Sequence, residues 1–288
     1  MKWALAALAA ILAFAAPDFF ALANLRDLAL ANLATLIVAC GLLLVILAGE
    51  IDISVGSQFA LCGWAIGFAP WAAPLAGAAC GLMNGLLCGA LRLPSIVVTL
   101  ATMVALRDAI RWLTQGAWTR MPDGFQWFGL GQTQGQWLLI AASAALALAM
   151  GWALRNVRVM RFFYAVGASG ESARLTGIPV ARVRVLAFAA LGLLTGLAAL
   201  LNAVRFTEVQ PSAGIGLELK AIAAVVVGGA SIRGGRGTML GTVLGVALLG
   251  TIGAALAFLG FSAYWEKAIQ GAIILAAALA EYWEARRA

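Results

Sequence analysis

Residues 28–69 read "LALANLATLIVACGLLLVILAGEIDISVGSQFALCGWAIGFA". Two apolar runs, 28–48 and 53–69, flank two carboxylates, Glu50 and Asp52. A run of ~20 apolar residues is what a helix needs to cross a hydrocarbon core of roughly 30 Å. Lipid offers exposed backbone no hydrogen-bond partner, so only helices or a closed barrel span it. Continuous apolar runs without period-2 alternation select helices. The whole chain shares this character: 64% of its 288 residues are hydrophobic and 11% are charged, with a mean hydropathy of +0.99. Soluble domains carry about 25% charged residues. The 33 glycines suit close contact between helices in lipid, where small residues let backbones approach.

Ten candidate spans follow, at about 3–16, 28–48, 53–69, 71–90, 95–115, 137–154, 185–204, 218–230, 239–258 and 265–282. Several are shorter than a straight crossing. The shortest, 218–230, reads as a broken or half-crossing helix, which a membrane tolerates only when it is buried in protein or lines a cavity. The expected fold is all-α: a polytopic transmembrane helix bundle of about eight to ten spans, forming one domain over 1–288. Spans two to five and seven to ten make two sets of four entered from opposite sides, an arrangement that suits an inverted repeat. The first twenty residues also resemble a secretory signal peptide; a first span is the preferred reading because the remainder is polytopic.

Loop charge sets the orientation. With ten spans, one side carries Lys2, Arg92, Arg155, Arg158, Arg161, Arg174, Arg182, Arg184, Arg233, Arg236, Arg286 and Arg287, and the other Arg26, Arg120 and Arg205. Twelve against three places both termini and the 155–184 loop in the cytoplasm. The same rule accounts for the net charge of +7 without nucleic acid. The longest external loop, 116–136, has Trp and Phe residues suited to the membrane–water boundary.

Several chemistries are disfavoured. There is no His, hence no usual general base, and no nucleophile–base arrangement. Cys40, Cys62, Cys80 and Cys88 lie inside apolar runs at spacings that match no zinc site, so packing is their expected role. No catalytic, metal or cofactor-binding residues are expected. The glycine run "VVVGGASIRGGRGT", 225–238, lacks the Lys-Ser/Thr ending of a phosphate loop and reads as a turn between a short helix and the ninth span. Arg107, Asp108 and Arg111 share one helical face and are expected to pair locally and snorkel. An ion-coupled transporter needs a buried mid-membrane carboxylate, whereas the acids singled out here stand near span ends.

Within 155–184, "SGESARLTGI" reads as a short helix. Ser169 caps it, Glu171 and Ser172 suit its first turn, and Gly177 suits its stop. On physical grounds alone this is either a docking surface or a solvated connector. Glu50 and Asp52 fall at the turn between spans two and three. Asp52 or Ser54 can cap the next helix, where the dipole favours a carboxylate, and Gly56 and Ser57 are small enough for tight packing. Arg233 and Arg236 are candidate ion-pair partners on the same face.

Four stretches carry a resemblance to one family. "GEIDISVGSQFAL" (49–61) resembles the "GGIDLSVGS" signature of permease subunits in sugar-importing ABC transporters of the ribose type. "LRLPSIVVTLATMVALRDAIRWLTQG" (91–116) looks like that family's "PxFIVTLGTM…RG…LTGG" segment. Residues 164–200 and 210–250 resemble its C-terminal half. The similarity runs from about residue 35 to 280; Glu50 replaces the second Gly of the signature. Branched-chain amino acid permeases share the general layout but lack the signature-like stretch; an importer of branched-chain amino acids or nucleosides is the alternative reading. The resemblance implies a multi-pass permease of the bacterial inner membrane, working as a homo- or heterodimer. Separate cytoplasmic ATPase subunits would drive it and a periplasmic sugar-binding protein would deliver the solute. Nearby branches carry pentoses, rhamnose-like deoxyhexoses, galactosides and autoinducer-2. Glu171, Ala173, Arg174, Gly177 and Ile178 match the family's "EEAARLSGI", which makes the 155–184 loop the ATPase-coupling element. Glu50, Asp52, Ser54, Gly56 and Ser57 form the signature turn. The resemblance implies no cofactor, and the substrate-binding residues stay unassigned.

Overall fold

The computed structural model describes residues 2–262 and 264–287. The side chains of Lys2, Arg286 and Arg287, which entered the charge count above, lie outside the described residues. Twelve α-helices are described: α1 (Lys2–Ala15), α2 (Leu22–Leu47), α3 (Val55–Ile66), α4 (Ala72–Gly85), α5 (Ser95–Thr114), α6 (Gln132–Asn156), α7 (Met160–Ala168), α8 (Gly170–Leu175), α9 (Val180–Ala203), α10 (Leu217–Val227), α11 (Met239–Phe258) and α12 (Tyr264–Arg287). All ten expected spans correspond to helices.

Among the described residues, five helices are long and apolar enough to cross a membrane: Leu22–Leu47, Ala72–Ala90, Gln132–Asn156, Val180–Ala203 and Met239–Phe258. The second includes a π-helical turn, Leu86–Ala90, that extends α4. α5 has 20 residues but is interrupted by Arg107, Asp108 and Arg111. α2 is the centre of the bundle, and every residue from Ile37 to Ala48 is buried. A helix apolar on all faces is stable only when surrounded; α9, α11, α6 and α10 pack around this one.

α4 and α9 meet most closely. Gly77, Gly81, Gly85 and Gly89 recur every fourth residue, on one face of α4 and its π-helical extension. A Cβ at Gly77 would strike the Gly192 carbonyl, and one at Gly81 the Phe188 carbonyl. The approach is reciprocal, because a Cβ at Gly192 or Gly196 would strike the carbonyl of Gly77 or Ala73. This is backbone-to-backbone packing by small residues, the usual source of helix adhesion where no hydrophobic effect operates between spans.

Two helices are half-length. α3 has 12 residues and α10 has 11; at 1.5 Å per residue each covers roughly half of the hydrocarbon core. Their N-termini meet: Gly56 packs against the Gly214 carbonyl and the Glu218 carboxylate. They then run apart. The far end of α3 lies at a two-stranded ribbon, β1 (Thr119–Arg120) with β2 (Glu208–Val209). The far end of α10 enters the glycine turn, which touches Gly49 and Ala168. This turn bears out the structural reading of 225–238. Gly235 N–H donates to the otherwise free Leu47 carbonyl at 3.0 Å. Gly234, at φ +91, comes so close to the Gly49 backbone that no Cβ fits.

The 155–184 segment needs correction as a loop. α6 continues to Asn156, α9 starts at Val180, and two helices, α7 and α8, fill the interval. Its arginines hid α7 in the sequence, yet α7 buries Phe163 and Val166 against the core.

Candidate functional site

The signature turn enters the bundle rather than lying across its end. Gly49 adopts φ +79 after α2, and the Ile51 N–H donates to Ser95 Oγ at 3.3 Å. Asp52 is completely buried. Its Oδ1 accepts the Ser54 N–H at 2.7 Å and the Ser54 hydroxyl at 2.5 Å. Its Oδ2 faces the amides of Gln58 at 3.3 Å and Asn84 at 3.4 Å. Both amides also donate to Ser54 Oγ, at 2.7 and 2.9 Å. Thr102 donates to Asn84 Oδ1 at 2.8 Å, and Ser57 to the Met103 carbonyl at 2.8 Å. One buried polar network thus ties α3 to α4 and α5. Of the two expected caps, Asp52 holds the first N–H of the turn and Ser54 makes no side-chain cap. Gly56 lies against Gly214 and Glu218, and Ser57 is buried. Gln58, Asn84 and Thr102 were missed, although an Asn or Gln inside an apolar run is itself a signal, because leaving it unpaired is costly.

Glu50 pairs with neither Arg233 nor Arg236. Its carboxylate lies 2.9 Å from Arg184 Nε at the start of α9. Several arginines crowd this end of the bundle, and only the crossing of α2 and α9 decides which one reaches the turn. Arg111 pairs locally with Asp108 at 3.6 Å, as expected. Arg107 instead faces Glu218 across the bundle at 3.6 Å. Glu218 is 8% exposed and Arg107 is 22% exposed. Glu218 Oε2 and Arg107 Nη2 have no hydrogen-bond partner. A buried carboxylate therefore does stand at the α3–α10 meeting point, away from the acids singled out in the sequence.

The α8 residues divide by direction. The Ser169 hydroxyl accepts the Ser172 N–H at 3.2 Å and caps the helix. At the other end Ile178 N–H bonds to the Ala173 carbonyl and Gly177 N–H to the Arg174 carbonyl, each at 3.0 Å. This is a Schellman stop, with Gly177 left-handed at φ +83. Ala173 is buried and Ile178 packs on the core. Glu171 and Arg174, paired at 3.7 Å, are 77% and 68% exposed. No atom approaches the position of a Cβ on Gly177 within 4 Å. α8 is therefore anchored through Ala173 and Ile178 and presents Glu171, Arg174 and Gly177 outward. Between α8, α9 and the π-helical turn lies a cavity of about 400 Å³ lined by Arg92, Arg174, Arg184 and Glu171, among others.

Comparison with known proteins agrees with this architecture. The family model described as branched-chain amino acid transport system / permease component matches residues 24–278. The ribose import permease protein of Escherichia coli (strain K12) is 35% identical, over 96% of this chain and 91% of that one. The ribose import permease protein of Haemophilus influenzae is 33% identical over 96% and 91%. The autoinducer 2 import system permease protein of Klebsiella pneumoniae is 36% identical over 95% and 83%. No solved structure matches the chain. Matched over nearly its whole length by this family model and by these import permeases, the chain belongs to the family of branched-chain amino acid transport system permease components.

Proposed function

We infer that the chain is the membrane-spanning permease subunit of an ATP-driven ABC importer for a monosaccharide or sugar-like solute of the ribose or autoinducer-2 type. The observation that carries this is the identity of 35–36% to ribose and autoinducer-2 import permeases over 95–96% of the chain. The chain is not an enzyme: it sits as a multi-pass protein in the inner membrane, and ATP is hydrolysed by a separate subunit. A periplasmic binding protein delivers the solute, and a second permease chain, identical or related, completes the pathway.

In this reading α7 and α8 make up the coupling element, with 1–288 as one permease domain. The Schellman stop supports it, because it halts α8 sharply and leaves Glu171, Arg174 and Gly177 free to meet a partner. Gly177→Leu should insert and fold normally. A left-handed non-glycine residue costs about 1–2 kcal/mol, and there is open space for the side chain. The leucine nevertheless projects into the docking surface, so uptake should drop several-fold and the ATPase should co-purify poorly. Wild-type uptake and ATPase recovery with Gly177→Leu would make α8 an ordinary connector.

The orientation proposed puts both termini and α8 in the cytoplasm, from the twelve-to-three division of loop arginines and lysines. A cysteine at position 174, on a background without native cysteines, should resist an impermeant thiol reagent in intact cells and react once the membrane is opened. Labelling in intact cells would reverse the topology.

A further inference from the structure

The cavity beside α8 has a charge balance with one position open. Three of its lining residues are arginines, Arg92, Arg174 and Arg184. Arg174 is matched by Glu171 at 3.7 Å, and Arg184 by Glu50 at 2.9 Å. Arg92 has no ion-pair partner among the described residues. It is also held in an unusual backbone: φ is +58, immediately after the π-helical turn Leu86–Ala90 and Leu91. Left-handed non-glycine residues persist only where the surroundings dictate them, and they concentrate at functional sites. One unmatched guanidinium fits a single negative charge; Glu171 in the wall opposes a dianion such as free phosphate.

We propose that this cavity receives one carboxylate side chain of the ATPase subunit, which pairs with Arg92 and comes within reach of Arg184. The proposal rests on the docking reading above and names the chemistry of its contact. A protein occupant is favoured over a lipid headgroup by the walls. Gly170, Glu171 and Arg174 of α8 form one side, and the exposed Glu171 and Arg174 face water rather than acyl chains. The exposed Leu91 and Leu175, next in sequence to two of the cavity arginines, supply the apolar rim that a protein segment covers.

The position of Arg184 gives the contact a consequence. Its guanidinium pairs with Glu50 of the signature turn and lies near the start of α8, with Nη2 4.0 Å from a Cβ position on Gly170. A carboxylate entering the cavity competes with Glu50 for Arg184. The hold on residue 50 then loosens, two residues before the Asp52 network that ties α3 to α4 and α5.

The test uses the full permease with its ATPase, in nanodiscs of phosphatidylcholine alone and with added phosphatidylglycerol. Arg92→Glu should weaken ATPase association about tenfold in both lipids, the scale of one lost charge-assisted contact, and Arg92→Lys should retain most of it. Arg92→Gly removes the charge while relieving the left-handed backbone, so a loss there cannot come from a distorted turn. Arg233→Glu, exposed beside Gly49 at the same end of the bundle but outside the cavity, should associate normally. A single Asp or Glu to Arg exchange on the ATPase docking face should restore binding to Arg92→Glu. Normal association of Arg92→Glu alongside failure of Gly177→Leu would overturn the cavity proposal and leave α8 docking intact. Normal association of both would overturn the docking reading as well. An equal loss with Arg233→Glu would reduce the effect to diffuse charge. An effect confined to nanodiscs with phosphatidylglycerol would assign the cavity to a lipid headgroup instead. Each of these last two results would also overturn the proposal.

Discussion

Asp52→Leu should leave little folded permease in the membrane, while Asp52→Asn should leave most of it. Leucine orphans the Ser54 N–H and the Ser54 hydroxyl, both buried and both bonded to Asp52 Oδ1. Each orphaned group costs about 1–3 kcal/mol, and a protein with ~5–15 kcal/mol of stability cannot absorb two such losses without effect. Gln58 and Asn84 are hurt less, since Ser54 Oγ still accepts from both. Asparagine keeps an acceptor for the two Ser54 donors. Its new amide faces Gln58, whose Oε1 has no partner in the native network and can accept after a flip of the amide. The readout is the yield and thermal midpoint of monodisperse protein after detergent extraction. Asp52→Asn with normal yield but no uptake would mean that the charge serves transport directly, contrary to the bracing role given to it here.

The second large effect concerns the ion pair that ties α5 to the half-length α10. Glu218→Leu should destabilise the permease by about 3–5 kcal/mol, the usual cost of leaving one member of a buried ion pair alone. Arg107→Leu should cost at least as much, because it strands Glu218, the more buried partner, with only the Gly216 N–H at 3.3 Å on Oε1. The double variant should recover much of the Glu218→Leu loss, since an apolar pair of similar size avoids the desolvation of both charges. Thermal unfolding of the four proteins closes the cycle. Strict additivity would show that the two charges do not interact and that the 3.6 Å approach contributes nothing.

What the sequence discloses and what it hides divides along physical lines. Local pattern carried α2, the half-length α10, the Ser169 cap and the Gly177 stop, because hydropathy, capping and left-handed glycine act within a few residues. Gly56 and Ser57 were legible as packing positions for the same reason. Arg184 was not legible as the partner of Glu50. Net loop charge says which end an arginine occupies, and helix crossing decides which one touches. Glu218 was absorbed into the short apolar segment 218–230, and its meeting with Arg107 spans more than a hundred residues. Asn84 and Thr102 stood in plain view as polar interruptions, but without the α3–α4–α5 contact nothing connected them to Asp52. α7 was lost because Arg155, Arg158 and Arg161 read as loop charge, whereas Phe163 and Val166 of α7 are buried.

The central claim is that this chain conducts a sugar-like solute under the control of an ATPase. The direct measurement is uptake into vesicles reconstituted with the permease, its ATPase subunits and its binding protein. Labelled ribose, rhamnose and autoinducer-2 would be offered alongside leucine. The account predicts that one of the sugar-like solutes accumulates, that omission of ATP, ATPase or binding protein abolishes the accumulation, and that collapse of ion gradients leaves it unchanged. Uptake that persists without the ATPase and disappears with the ion gradient, or accumulation of leucine alone, would contradict it.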